Sequence, residues 1–229
     1  MVLNKVTSVG FMASHYEREL RAVLIGSPDG VRAVTRSCNA SEKARAMQVI
    51  RRPFLVVRAA GSGVAGAGDL LAVRGDISFP IEVKTTKEKK IYLSGRTWEQ
   101  YLDLKKEGER CGLMPIYAMR LKGVRGDSWR ILKVETDNLS GTPSIIARSI
   151  PSLPLTKNKR PYLDWDAGLP LHKFLALLCR DEESYSQTAE ILRSRTDQWV
   201  AQKDARITRE ENEEVENESP AEWVKKFRL

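Results

Sequence analysis

A chain of 229 residues is long enough for one domain with extensions or for two small domains, and 41% hydrophobic residues are enough for a real core. No apolar run approaches the length of a membrane span, and the opening MVLNKVTSVGFMASHYEREL has no sustained apolar stretch, so neither a spanning helix nor a secretory leader is expected. The net charge of +8 is unevenly spread: residues 179–229 carry −4, which leaves +12 on residues 1–178, and so basic a body points towards a polyanion such as nucleic acid rather than to simple solubility.

The periodicity predicts a helix over SHYERELRAVLIG (14–26), with Ser14 as cap, Glu17 at the third helical position and Leu20, Val23 and Leu24 as the apolar stripe. SPDG reads as a break. Residues 31–52 are basic and less regular, with a short helix capped by Ser41 expected in SEKARAMQVIRR. FLVVRAA (54–60), DLLAV (69–73) and ISFPIEVKTT (77–86) read as strands, the last two joined by an RGD turn. RTWEQYLDLKKEGERCG (96–112) reads as a helix ended by Gly112. PIYAMRL (115–121) and SWRILKV (128–134) follow as strands around a KGVRGD turn. The pattern weakens from 135 to 178, apart from a helix expected in LPLHKFLALL (169–178). Residues 182–207 read as polar helix, REENEEVENESP (209–220) as an acidic linker expected to be disordered, and AEWVKKFRL as a basic amphipathic tail suited to docking on a replication or repair protein.

Cys38, Cys111 and Cys179 are far apart and form no C-x-x-C pair, which suits unpaired thiols in a reducing cytosol and argues against zinc. His15 and His172, the two histidines, read as structural residues.

Gly61, Gly63 and Gly66 fit G-x-G-x-x-G, and Glu82 follows at about the spacing of a dinucleotide fold. That fingerprint needs a helix opening at the glycines, whereas here Gly66 and Gly68 lead into a strand, a turn and another strand. The dinucleotide reading therefore fails, and a different set of residues stands out. Asp69 opens one strand of the hairpin, while Glu82 and Lys84, two apart, share a face of the other. Two carboxylates and a lysine would meet at one point, suited to Mg²⁺ and to phosphodiester hydrolysis. E-V-K alone is common by chance; its place in an apolar strand and the aspartate behind a glycine-rich bend make the set specific.

These residues resemble the PD-(D/E)XK nucleases, and among them the archaeal Holliday junction resolvases of the Hjc type. The resemblance runs over 14–178 in six ordered segments: YERELRAV, VVRAAGSG, GDLLA, IEVKTT, KIY and a helix with E-Q. It implies an α/β fold with a restriction-endonuclease-like mixed central sheet flanked by helices. It implies an Mg²⁺-dependent endonuclease, with one or two ions per site and Mn²⁺ able to substitute, that acts as a homodimer to make paired nicks in a four-way DNA junction. Glu17, Asp69 and Glu82 would be the metal ligands, with Lys84 and Ser62 completing the catalytic set. The chain departs from the pattern at Gly68, which stands where the family has proline before the aspartate, and in a long basic insert over 26–52. Within and beside that insert, Arg36, Arg45, Arg51, Arg52 and Arg58 are the candidates for DNA backbone contacts. The expected layout is an arm (1–13), a nuclease domain (14–178), a helical extension (179–208) and a linker with tail (209–229), in a cytoplasmic, nucleoid-associated protein. Two alternatives stay open: another nuclease of this fold acting on duplex or flapped DNA, and a silent DNA-binding scaffold.

Overall fold

The computed structural model describes residues 15–59, 65–75 and 77–179. The expectations for the arm, Ser14, Ser62, the polar helix and the C-terminal tail fall outside them. None of the described helices is long and apolar enough to cross a membrane.

Helix α1 (His15–Leu24) buries Leu20, Val23 and Leu24, the expected stripe, and carries Glu17 in its first turn. Three strands follow the insert as an antiparallel meander: β1 (Leu55–Arg58), β2 (Leu70–Arg74) and β3 (Ile77–Thr86). β4 (Lys90–Tyr92) leaves the sheet, and α4 (Arg96–Cys111) then carries the chain across to β5 (Ile116–Leu121), which lies parallel to β3. β6 (Trp129–Lys133) returns antiparallel. The helix α5 (Gly141–Ala147), β7 (Tyr162–Asp164), β8 (Leu169–Pro170) and the helix α6 (Leu171–Leu178) close the described chain. The sheet order is β1-β2-β3-β5-β6-β8, with β4 and β7 forming a separate pair. This is the expected mixed sheet flanked by helices.

The two faces of the sheet are both covered. On one, Tyr117 and Met119 of β5 pack with Leu132 of β6, Leu104 of α4 and Leu163 of β7. Elsewhere in the core, Phe79 of β3 lies between Phe54 and Phe174 of α6, at ring separations of 6.0 and 5.7 Å. Burial on both faces explains why β3 and β5 read as nearly continuous apolar runs. Pro80 is tolerated inside β3 because the pairing with β5 begins only at Ile81.

The insert is where sequence reading and structure diverge most. SPDG is not a break: Ser27 caps α2 (Pro28–Val34), with Pro28 at its first position, where a missing N–H costs nothing. The next helix, α3 (Ala40–Ala46), is capped by Asn39 rather than Ser41, in a full capping box with Glu42. A 3-10 turn (Met47–Ile50) leads back towards β1. Val31, Val34, Ala46 and Val49 are buried, and α3 packs on α6, so the insert is a built part of the domain. β4, β7, β8 and α5 carry too little periodicity to be read from sequence: the three strands are two or three residues long, and α5 contains a glycine and a proline.

Candidate active site

The antiparallel register of β2 and β3 pairs Leu70 with Ile81, which places Asp69 level with Glu82. Two hydrogen bonds lock this level. The Asp69 N–H donates to the Ile81 carbonyl at 2.8 Å, and the Val83 N–H donates to Asp69 Oδ2 at 2.8 Å. The residue before Asp69 must turn sharply to allow it. Gly68 has a φ of 70°, and a Cβ there would stand 2.6 Å from the Ile81 carbonyl oxygen. A proline, fixed at negative φ, could not take this conformation at position 68.

Glu82 is 4% exposed, an unusual burial for a carboxylate. Lys84 Nζ donates to its Oε1 at 2.6 Å and also to Gln100 Oε1, on α4, at 2.9 Å. α1 brings Glu17 in from the side, in an ion pair with Arg58 of β1 at 3.4 Å. The carboxylates feel one another: burial first, then Glu82, then Glu17 against the helpful Val83 N–H, push Asp69 up to about 6. Opposite Glu82 on β5 stands Tyr117, whose buried hydroxyl has no hydrogen-bond partner among the described residues. Burial, and after it the Glu82 charge, drive that phenol far upward, so it remains a neutral donor.

The structure thus assembles Glu17, Asp69, Glu82 and Lys84 at one place. Of the candidate DNA contacts, Arg58 lies at this site, whereas Arg36, Arg45 and Arg51 stand exposed on the insert. The Arg52 carbonyl accepts from Arg74 of β2 at 2.6 Å. Sequence reading passed over Gln100 and Tyr117. The E-Q segment held the signal for Gln100, since α4 must cover β3 after the crossover; Tyr117 read only as a strand residue.

A dication fits this donor set. Three carboxylates offer hard oxygens, Asp69 is raised by burial and then by the Glu82 charge, and a buried hydroxyl beside Glu82 has no hydrogen-bond partner among the described residues. A second group of ligand-type atoms, on Cys38, Asp127 and His172, shares no residue with the first. The spacing argument against a thiolate metal site looked for neighbours in sequence, and these three become neighbours only through folding.

The description of the family whose model matches residues 33–151, more than half of the chain, is archaeal Holliday junction resolvase (hjc). That span holds Asp69, Glu82, Lys84, Gln100 and Tyr117, and begins after Glu17. No curated protein matches the chain. A solved structure of Hjc from Archaeoglobus fulgidus, a Holliday junction resolvase from an archaeal hyperthermophile, is 24% identical, with 53% of this chain and 81% of that one covered and a TM-score of 0.35.

Proposed function

The chain belongs to the archaeal Holliday junction resolvase family, and on that premise we propose that it cuts four-way DNA junctions by paired, Mg²⁺-dependent nicks. The observation that carries the reading is the level pairing of Asp69 with buried Glu82, their charges opposed by too few cations until a metal is bound. Glu17, Asp69 and Glu82 would hold one or two Mg²⁺, with Mn²⁺ an acceptable substitute. A metal held there would supply Lewis acidity towards the scissile phosphate and its leaving oxygen and a more acidic water.

The chain's own residues do the rest. Lys84, held between Glu82 and Gln100, presents its ammonium where charge builds on the phosphate and orients the attacking water. Gln100 positions Lys84 without itself meeting the substrate. Ser62, next to the glycine bend, contacts the scissile region in this scheme. Arg58 is paired with Glu17 and can pass to a DNA phosphate once a metal takes that carboxylate. Arg36, Arg45, Arg51 and Arg52 extend the backbone contacts along the insert. A junction offers two equivalent scissile phosphates about a two-fold axis, so a homodimer would place one site at each.

The test is cleavage of a synthetic four-way junction and a matched linear duplex with Mg²⁺, by wild type and by Asp69→Ala. Paired symmetric nicks in the junction alone, absent with the variant, are expected. Cutting of both substrates would replace this reading with a general nuclease. Tight junction binding without cutting under several divalent metals would leave only a scaffold.

A further inference from the structure

Cys38 lies in the loop between α2 and α3, Asp127 in the turn before β6, and His172 in the first turn of α6. Cys38 Sγ is 3.4 Å from His172 Nδ1, and Asp127 Oδ1 is 3.5 Å from the same nitrogen. All three ligand atoms fall within 4.8 Å of one another. Tetrahedral zinc, with sulfur at about 2.3 Å and nitrogen or oxygen at about 2.0–2.2 Å, separates its ligands by roughly 3.3–3.6 Å. The two contacts to Nδ1 match that edge length.

The cluster places three ligand-type atoms around one nitrogen. Nδ1 faces both a thiol and a carboxylate, and Asp127 Oδ1 also accepts from Arg130 Nη1 at 3.0 Å, which holds the carboxylate in place with a lone pair still open. The imidazole is 7% exposed, and its other nitrogen, Nε2, makes no hydrogen bond among the described residues. Nε2 instead faces Glu42 Oε1 at 3.4 Å. A metal-bound histidine commonly turns its far N–H towards a carboxylate, which fixes the tautomer. Glu42 is itself fixed, because its Oε2 accepts from the Asn39 N–H in the α3 capping box. The Asp127 N–H donates to Ser37 Oγ at 2.9 Å, tying the turn to the residue beside Cys38.

We propose that Cys38, Asp127 and His172 form a binding site for one thiophilic divalent cation of the zinc class, with water as the fourth ligand and Glu42 orienting the histidine. A thiolate and an imidazole select against Mg²⁺, so this site and the carboxylate site take different ions. The three ligands come from the insert, the turn before β6 and the last described helix, so one ion would tie these segments together.

The experiment uses the full chain, stripped with chelator and titrated with Co²⁺ as the probe. A thiolate-to-cobalt charge-transfer band saturating at one ion per chain is expected, because the carboxylate site contains no sulfur. Zn²⁺ should displace the band and millimolar Mg²⁺ should not. Cys38→Ser should abolish it, Cys111→Ser should keep it, and Zn²⁺ should raise the Tm of wild type but not of Cys38→Ser. Glu42→Gln, which can still close the capping box, should weaken Zn²⁺ by about 10–100-fold. Folded wild type that shows no such band would overturn the site even if Cys38→Ser failed to fold, as would a band that persists in Cys38→Ser.

Discussion

The two clusters of ligand atoms in this domain are built in opposite ways. The carboxylate site takes Asp69 and Glu82 from adjacent strands of one hairpin, locked by backbone hydrogen bonds, with Lys84 two residues on. The cluster around His172 takes its three groups from parts of the chain separated by up to 134 residues. The first offers hard oxygens, with three carboxylates facing Lys84 and Arg58; the second offers a thiol, an imidazole and a carboxylate at zinc-like spacing. On the two readings proposed above, one would hold an ion exchanged with substrate and solvent, the other an ion that stays. Local construction makes a site tunable, and distant construction makes it a clasp.

Several changes would break or sharpen this contrast. The largest effect is expected at the hairpin: Asp69→Ala or Glu82→Ala should lower junction cleavage by at least about 10²–10³ while leaving junction binding largely intact. Equal loss of binding and cleavage would show that these carboxylates shape the DNA surface instead. Gly68→Ala comes next. It puts a Cβ against the Ile81 carbonyl at positive φ, so it should cost about 1–3 kcal/mol in denaturant unfolding and reduce cleavage through the displaced Asp69. An unchanged midpoint would mean the bend relaxes freely.

Gln100→Ala should lower kcat by roughly 10–100-fold with little change in KM, since it loosens Lys84 rather than removing it. Gln100→Glu, which keeps an acceptor for the ammonium, should recover part of the rate. The smallest effect is in pH. Asp69 titrates near 6 in the fold and near 3.8 when unfolded. A raised carboxyl favours the folded state below the unfolded pKa, and that benefit fades as pH rises through about 6. Metal-free Asp69→Asn should therefore melt higher than wild type at pH 8 and close to it at pH 4. Apparent Mg²⁺ affinity should rise up to about pH 6 and then level. A pH-independent wild type would mean that the three carboxylates do not share their charge.

Legibility in the sequence follows the same division. Strands β1, β2, β3, β5 and β6 announce themselves because each is an apolar run bounded by turn residues, and α1 and α4 because their faces repeat at helical spacing. The hairpin makes the Asp69–Glu82 meeting a matter of counting. Short strands lack a pattern long enough to count, and α2 is hidden because Ser-Pro-Asp-Gly signals a turn as readily as a helix start. The cap of α3 falls to Asn39 because it, not Ser41, has a glutamate three residues on. The Cys38 cluster is invisible to any rule based on neighbouring residues. Gln100 shows the middle case: its helix is plain, but its partner is known only once α4 lies over β3.

The meander has a consequence in time as well as in space. β1, β2 and β3 pair in sequence order, while the parallel β3–β5 pair must wait for the loop carrying α4 to close. Local pairings close first because they cost least loop entropy. A hairpin formed that early would put the repulsion between Asp69 and Glu82 in place at the folding barrier. Removing it should accelerate refolding and leave unfolding unchanged, so metal-free Asp69→Asn at pH 8 should move only the folding arm of a chevron plot. Mg²⁺ should quicken refolding of wild type through Asp69 and Glu82, and should slow unfolding as well wherever Glu17 on α1 joins the ion only after the barrier.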